Sequence, residues 1–217
     1  MDAKELIARR VAKELKEGYV VNLGIGLPTM VPRFLLPGVE ITLQSENGFL
    51  GLGPLEGDPQ TSVVNAGGQP CGLVPGAAFF DSATSFALIR GGHVDVTVLG
   101  GLQVDQKGSL ANWMVPGKMV PGMGGAMDLV TGAKKVIVAM EHCTKEGGSR
   151  LLPQCTLPLT AKSRVSMVVT ELGVFAISHG EFVLLEHAPN VTIDEIRAKT
   201  LATFEISDDL KQMDFGY

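Results

Sequence analysis

Two short, mostly apolar segments constrain the fold of this 217-residue chain more than any other feature. Residues 94–99 read Val-Asp-Val-Thr-Val-Leu and end at a pair of glycines, while residues 135–140 contain three consecutive β-branched residues. Strands this apolar are usually buried on both faces, which is typical of a parallel sheet covered by helices on both sides. The sequence therefore predicts the α/β class, with an open, mostly parallel sheet flanked by helices on both faces.

Residues typical of turns and of helix ends locate the other strands, loops and helices along the chain. Residues 174–177 and 182–185 flank Ser178-His179-Gly180-Glu181, which predicts an antiparallel hairpin near the C-terminus. Residues 48–60 are rich in glycine and proline and are predicted to be loop. A first helix is predicted from a capping box at Asp2 and Glu5 towards Gly18, and a second over residues 29–36 with a bend at Pro32. Two further helices are predicted, one from a cap at Asp81 to about Ile89 and one from Thr192 to Lys199.

Composition excludes several classes of function. The chain has 18 Lys and Arg against 23 Asp and Glu, and because these charges form no basic stripe we expect no nucleic acid partner. No apolar run reaches the length of a membrane span, and the charged, amphipathic N-terminus does not resemble a signal peptide. We therefore expect a cytoplasmic protein without a membrane partner. The absence of repeats and of a linker predicts one domain over residues 1–217.

A lone acid lies in a glycine-containing bend, at the end of a predicted strand over residues 41–45. Asn47-Gly48 predicts a tight turn, because both residues tolerate a positive φ at low cost. A strand that stops at Glu46 displays the carboxylate at the edge of the sheet, where α/β proteins place their chemistry. On spacing alone, Glu46 is either a solvated turn residue or a nucleophile.

Two glycine loops are candidate binding elements. Gly24-Ile25-Gly26 lies between a strand and a helix, where free backbone N–H groups can bind an anion or oxyanion, although a tight bend explains it equally. Thr29 stands where a dinucleotide fingerprint needs its third glycine, which argues against NAD. The segment from Pro121 to Asp128 contains Gly122, Gly124 and Gly125 and is either a ligand-binding loop or a hinge.

The remaining candidates have ordinary structural explanations. Asp95 and Asp105 flank a strand end, where a carboxylate is as often a cap as a catalyst, and Trp113 either lines a channel or packs. The three cysteines are Cys71, Cys143 and Cys155, and the four histidines are His93, His142, His179 and His187. Their scattered spacing matches no zinc motif and no Ser-His-Asp pattern, so we expect reduced thiols and no metal.

Four segments together resemble the beta subunit of family I CoA-transferases, the 3-oxoacid and acetate or butyrate–acetoacetate enzymes. They are Asn22 to Thr29, Gln44 to Gly48, Leu110 to Lys118 and Gly122 to Leu129, and the resemblance extends over essentially the whole chain. Within that family, Ser45-Glu46-Asn47-Gly48 is the most specific signature. The stretch from Ala66 to Gly72 resembles the acetate/acetoacetate branch, while Pro116-Gly117-Lys118 argues against the 3-oxoadipate branch.

The resemblance implies a role for each matched residue. Glu46 would attack an acyl-CoA thioester, and the reaction would continue through a glutamyl-CoA thioester in two half-reactions. The backbone of Gly24, Ile25, Gly26, Gly124 and Gly125 would bind substrate and stabilise oxyanions. Asn47 and Gly48 would support the nucleophile. Coenzyme A is a substrate in this scheme, and neither a cofactor nor a metal is required.

The family also implies a partner, an alpha subunit of similar fold, in a heterotetramer of two alpha and two beta chains. The substrates would be an acyl-CoA and short-chain carboxylic acids. Two alternatives remain open at this point. An acyl-CoA hydrolase on the same scaffold would differ mainly in the access of water, and a small-molecule-sensing module would bind an effector without turnover.

Overall fold

The computed structural model describes residues 1–58, 63–117 and 122–215. Lys118 and Pro121 of the motifs named above, and the end of the predicted loop over residues 48–60, lie outside this description. The helices of the described part are α1 (Ala3–Ala12), α2 (Ser82–Arg90), α3 (Ala126–Gly132) and α4 (Ile193–Lys199), with a 3-10 helix over Leu27–Phe34. Its strands are β1 (Val20–Leu23), β2 (Thr42–Ser45), β3 (Phe49–Gly53), β4 (Val63–Val64), β5 (Pro70–Phe79), β6 (Val96–Leu99), β7 (Gln103–Asp105), β8 (Leu110–Ala111), β9 (Lys135–Ala139), β10 (Leu151–Leu152), β11 (Met167–Val169), β12 (Gly173–Ser178), β13 (Glu181–His187) and β14 (Phe204–Gln212).

Eleven strands form one open sheet in the order β14-β13-β12-β11-β9-β6-β1-β2-β3-β5-β4. The five central strands, β2, β1, β6, β9 and β11, run parallel to one another. Antiparallel pairs extend the sheet on both sides, through β3, β5 and β4 beyond β2 and through β12 and β13 beyond β11. The structure confirms the predicted open α/β sheet and places its parallel strands at the centre.

Helices cover both faces of the sheet, as predicted. On one face, Ile7 and Val11 of α1 pack against Val21, Val96 and Ile137. On the other face, α2, α3 and α4 contribute Ile89, Leu129 and Ile196 to a core with Leu99, Val138 and Phe175. The central strands contribute side chains to both cores, and β6 is therefore buried on both faces. Assignment of residues 1–217 to one domain stays a prediction.

The capping signals identified three helix starts correctly. The side chains of Asp2, Asp81 and Thr192 accept hydrogen bonds from backbone N–H groups three residues later, at 2.7, 2.7 and 3.2 Å. The predicted hairpin is also present as β12 and β13. Its two-residue turn has His179 at φ 53° and Gly180 at φ 81°, the positive values that a tight hairpin turn requires.

The first helix ends earlier than predicted, at Ala12 and not near Gly18, and two further predictions of local structure were wrong. The segment predicted as loop from residue 48 onwards contains β3, because its glycines allow close contact between strands. A Cβ atom on Gly51 would lie 2.9 Å from the Cα atom of Ala77 in β5. The predicted helix over residues 29–36 is instead a 3-10 helix that begins at Leu27. In an α-helix the ring of Pro32 would clash with the carbonyl group four residues earlier.

Candidate functional site

Glu46 lies in the turn that connects β2 to β3, at the carboxyl end of the parallel strands. The Gly48 N–H donates to the Ser45 carbonyl at 3.0 Å and closes the turn. Gly48 has φ +126°, and a Cβ atom there would lie 2.3 Å from the carbonyl oxygen of Phe80. Asn47 does not have the positive φ that the sequence suggested. Glycine is therefore required at position 48 by both backbone conformation and space.

The β4–β5 hairpin fixes the Glu46 turn from one side. The Ala66 N–H donates to Ser45 Oγ at 3.0 Å, and the Asn47 side chain donates to the Val64 carbonyl at 2.8 Å. These bonds join residues immediately before and after Glu46 to a separate part of the chain. The backbone that presents Glu46 is thus held on both sides of the acid.

The Glu46 carboxylate meets the second glycine loop directly. The Gly125 N–H donates to Glu46 Oε1 at 3.2 Å, across 79 residues of sequence. A Cβ atom on Gly125 would lie only 2.9 Å from both Cδ and Oε1 of Glu46, and one on Gly124 would lie 3.7 Å from Oε1. The loop therefore approaches the carboxylate with bare backbone, in a manner that any side chain at position 125 would prevent.

The environment of Glu46 disfavours its charged form. Burial raises its pKa above the ordinary value of 4.5, and the negative charge of Asp128 adds to that effect. Hydrogen bonds from the Gly125 N–H and the Asn22 side chain act in the opposite direction. Asp128 itself is paired with Arg90 at 2.7 Å. The site holds a partly desolvated carboxylate with few donors, which leaves its oxygens available to attack an electrophile.

A row of buried polar side chains below Glu46 was not predicted from the sequence. Asn22 Nδ2 donates to Gln44 Oε1 at 2.6 Å, and Gln44 Nε2 donates to Ser85 Oγ at 3.0 Å. All three residues are at most 4% exposed. The available signal was the presence of an amide within an apolar strand, since Asn22 interrupts Val20-Val21-Asn22-Leu23.

Glu46 opens into a large cleft of 1670 Å³. The cleft lies at the carboxyl ends of β1, β2 and β6, the usual place for ligands in an open α/β sheet. Of the predicted site residues, Gly24, Ile25, Glu46, Gly124 and Gly125 line it, and Gly26, Asn47 and Gly48 do not. A cleft of this size can hold a ligand much larger than a short-chain acid.

The first glycine loop is only partly free to donate. The Gly24 N–H donates to the Val98 carbonyl at 2.8 Å and so continues the ladder between β1 and β6. Gly26 has φ +88° and its carbonyl accepts from Thr29. Within the described residues, the N–H groups of Ile25 and Gly26 donate no hydrogen bond. Of these two residues, only Ile25 lines the cleft, so its N–H group is the one of this loop that can meet an oxyanion there.

The other sequence candidates have structural roles. His142 is fully buried between Thr170 and Thr200 at 3.0 and 2.9 Å, and burial lowers its pKa to about 4. Trp113 donates to the Leu159 carbonyl at 3.3 Å and is not part of the cleft lining. Burial, followed by the charge of Asp105, raises the pKa of the Cys155 thiol to about 12.

Asp95 and Asp105 also bind backbone or neighbouring charges. Asp95 accepts from the Val20 N–H and pairs with Lys134, while Asp105 accepts from the N–H groups of Lys107 and Ser109. In the part of the chain that the structure describes, no three His, Cys, Asp or Glu side chains are placed to hold a metal ion. In the same residues, no helix is long and apolar enough to span a membrane.

Known proteins with similar sequences are chains of CoA-transferases. The beta subunit of the acetate CoA-transferase of Haemophilus influenzae is 66% identical over 214 residues, covering 98% of this chain and 96% of that protein. The corresponding acetate CoA-transferase chain of Escherichia coli is 64% identical, with 97% of each chain covered. One chain of the succinyl-CoA:3-ketoacid coenzyme A transferase of Helicobacter pylori is 54% identical, with 94% of this chain and 99% of that one covered.

The fold is also shared with solved structures. An acyl-CoA transferase from E. coli O157:H7 superposes with a TM-score of 0.81 at 24% identity, over 99% of this chain. The chain spans 44% of the length of that protein. The family model for coenzyme A transferase matches residues 4–199. Taken with the cleft, the presented carboxylate and the close relatives, this match shows that the chain belongs to the coenzyme A transferase family.

Proposed function

We propose that this chain is the beta subunit of an enzyme that transfers coenzyme A between a short-chain acyl-CoA and a carboxylic acid, with Glu46 as the nucleophile. The observation that supports it most strongly is the contact between the Glu46 carboxylate and the bare backbone of Gly125 inside the cleft. Two of the relatives are named as chains of acetate CoA-transferases, which supports acetate as one acid. A third is named for succinyl-CoA and a 3-ketoacid, which supports a second pair of substrates.

The first half-reaction begins when a Glu46 oxygen attacks the thioester carbonyl of the acyl-CoA. The C–S bond breaks, CoA leaves as a thiolate, and a mixed acyl–glutamyl anhydride remains. The thiolate then attacks the glutamyl carbonyl of this anhydride. Its C–O bond breaks, the donor acid leaves as a carboxylate, and Glu46 is left as a glutamyl-CoA thioester. A carboxylate suits this sequence because it is regenerated unchanged.

The second half-reaction repeats these steps in reverse with an acceptor acid. The acceptor carboxylate attacks the glutamyl-CoA thioester and releases the thiolate, and the thiolate then attacks the acceptor's carbonyl in the new anhydride. The products are the acceptor's acyl-CoA and free Glu46. No proton is lost or gained overall, so the chain needs no general acid or base for this exchange.

Each attack develops negative charge on a carbonyl oxygen, which backbone N–H donors can stabilise. The N–H group of Ile25, which lines the cleft, is available for this role, and the Gly125 N–H already contacts Glu46. Loss of one such donor costs roughly 10²–10³ in rate. Since Glu46 is a weak nucleophile in water, binding of the long CoA moiety would offset the cost of holding it desolvated.

A companion chain would complete the enzyme. The relatives are each named as one of the subunits of their enzyme, and two of them as the beta chain, which implies an alpha subunit for this chain. We propose a heterotetramer of two alpha and two beta chains in the cytoplasm, with coenzyme A as a substrate and no cofactor.

The test is an exchange assay on the chain co-expressed with its companion subunit. Isotope-labelled acetate should enter the acyl-CoA pool with the parent protein and not with Glu46→Gln, whose thermal unfolding should show an intact fold. Turnover by Glu46→Gln within tenfold of the parent would refute the assignment. Steady loss of thioester without any acceptor acid would instead favour the hydrolase alternative, which nothing in the site favours at present.

A further inference from the structure

A smaller cavity of 280 Å³ lies next to the cleft, at the carboxyl ends of β6 and β9. Gly100 and Gly101, which follow β6, line both spaces, so the two share a wall. The volume of this side cavity is that of several water molecules and lies just below the range of cavities that hold drug-sized ligands. The side cavity therefore suits a ligand of only a few non-hydrogen atoms.

Arg150 lines the side cavity and has unused hydrogen-bond donors. Its Nη1 donates to the Gly101 carbonyl at 3.2 Å, whereas its Nε is buried and has no partner among the described residues. None of the described acids forms an ion pair with Arg150 either. Since almost all buried polar groups in proteins are hydrogen-bonded, the buried Nε indicates an acceptor that the described part of the chain does not provide.

The free edge of this guanidinium group has the geometry of a carboxylate site. Nε and Nη2 donate in parallel from that edge, and no described residue accepts a hydrogen bond from Nη2. Two parallel N–H groups match the two oxygens of a carboxylate, which arginine commonly binds in this bidentate way. The bond from Nη1 to the Gly101 carbonyl holds the group in place and leaves this edge free.

The charges around the side cavity favour a ligand with one negative charge. Lys4 of α1 also lines the cavity, and Glu141 is the one acid among the described lining residues. In the described structure Glu141 pairs with neither Lys4 nor Arg150. Two cations and one acid leave one net positive charge, which a singly charged carboxylate balances. A doubly charged phosphate would be repelled more strongly by Glu141.

The rest of the lining is apolar or bare backbone. Leu27, Ala139 and Met140 contribute the apolar side chains, and Ala139 and Met140 are almost fully buried. Such a wall favours a ligand with a short hydrocarbon tail, since each buried methylene group strengthens binding by roughly fourfold. A charged head and a short apolar tail together describe a short-chain monocarboxylic acid.

We propose that the side cavity is a second binding site for short-chain monocarboxylates. The carboxylate binds the Nε and Nη2 edge of Arg150, Lys4 supplies the second positive charge, and the tail contacts Leu27 and Met140. The chemistry of Glu46 does not enter this proposal, which therefore goes beyond the proposed function. The bound acid would lie directly behind the wall of the cleft, because Arg150 also holds Gly101.

The experiment is a titration with trifluoroacetate, a monocarboxylate with an apolar group, followed by the width of its 19F NMR signal. The protein is the complex with the companion subunit, in the Glu46→Gln background so that no CoA exchange occurs. Acetate, butyrate and inorganic phosphate are then added as competitors. Butyrate should displace the probe at an about tenfold lower concentration than acetate, because it buries two more methylene groups.

Four variants assign the binding to the side cavity. Arg150→Gln removes the charge, while Arg150→Lys keeps the charge without the paired N–H edge. Lys4→Gln changes an exposed side chain, so it tests the site even if Arg150→Gln fails to fold. Arg33→Gln is the matched control, because Arg33 is an exposed arginine that lines the cleft and not the side cavity. The unfolding temperature of each variant is measured in parallel.

We expect Arg150→Gln to weaken binding of trifluoroacetate roughly 10- to 100-fold, and Arg150→Lys by about fivefold or more. Lys4→Gln should weaken binding by about threefold, as for an exposed ion pair, and Arg33→Gln should bind like the parent. Binding by folded Arg150→Gln or Arg150→Lys within about twofold of the parent would overturn the proposal. Displacement by phosphate at a lower concentration than by butyrate would also overturn it. Failure of the proposed function would instead appear as CoA exchange by Glu46→Gln, which this titration does not measure.

Discussion

Replacement of Gly125 by alanine tests the contact that defines the site. Gly125 has φ −81° and ψ 4°, a conformation that alanine adopts without strain. The new methyl group would begin 2.9 Å from Cδ and Oε1 and 3.3 Å from Oε2 of Glu46. The substitution therefore acts on the nucleophile and not on the backbone of the loop.

The size of the effect follows from these distances. Nonbonded carbon atoms are comfortable at about 3.5–4.0 Å, so the carboxylate must move by roughly 0.6–1.1 Å. That movement stretches a Gly125 hydrogen bond that is already 3.2 Å long beyond useful range. Misplacement of a reacting group by about 1 Å costs on the order of 10²-fold in rate. We expect kcat to fall about 100-fold, with the unfolding temperature close to that of the parent.

The assay is acetate exchange in the reconstituted enzyme, with Gly148→Ala as a matched control. Gly148 also lacks a positive φ, and a Cβ atom there would make only ordinary contact with Thr144 at 3.4 Å. This control should keep the parent rate. Turnover by Gly125→Ala within twofold of the parent would refute the view that the bare backbone of this loop positions Glu46.

Three further predictions concern stability and are measured by thermal unfolding. Because its pKa is raised, Glu46 binds a proton more tightly in the folded chain than in the unfolded chain. At pH values above the pKa of Glu46 in both states, the ionised acid therefore lowers the free energy of unfolding. Glu46→Gln should therefore unfold at a higher temperature than the parent near pH 7.5, and the gain should vanish as the pH falls below 4.5; a gain that persists there would contradict this cause. Arg10 is 6% exposed and binds Glu186 through two hydrogen bonds at 2.7 and 2.8 Å, so Arg10→Ala should cost about 3–5 kcal/mol. The exposed pair of Lys199 and Glu195 provides its control, since Lys199→Ala should leave the unfolding temperature close to that of the parent, and equal losses of stability in the two variants would contradict this reasoning. His179→Val should cost about 1 kcal/mol because His179 has φ 53°, a left-handed conformation that a β-branched residue tolerates less well than histidine, whereas His93→Val at an exposed site without positive φ should be nearly neutral.

Local signals in the sequence were sufficient for much of the fold. The helix caps at Asp2 and Asp81 and the hairpin turn at His179-Gly180 each depend on residues within a few positions, and all three are present in the structure. The parallel centre of the sheet could also be predicted locally, because the apolar strands are short runs of neighbouring residues. Glu46 could be located at a strand end because the residues that follow β2, including Asn47 and Gly48, form the turn that ends the strand.

Contacts between distant segments could not be predicted in the same way. Glycines in β3 resemble loop residues in sequence, yet Gly51 is needed for the close approach of β5. The glycine loop at Gly125 was recognised, but its contact with a carboxylate 79 residues earlier depends on how α3 packs. The N–H of Gly24 was expected to be free, but the neighbouring strand uses it. The row from Ser85 to Asn22 likewise exists only when α2 covers the sheet.

The claim that Glu46 becomes covalently attached to CoA is tested most directly by trapping the intermediate. The reconstituted enzyme is incubated with acyl-CoA in the absence of an acceptor acid, and the intact mass and the peptide masses are then measured. We expect an added CoA thioester on the peptide that contains Glu46, which disappears on addition of acetate and is absent from Glu46→Gln. An enzyme that exchanges CoA at the normal rate without any such adduct, or with the adduct on another residue, would contradict it.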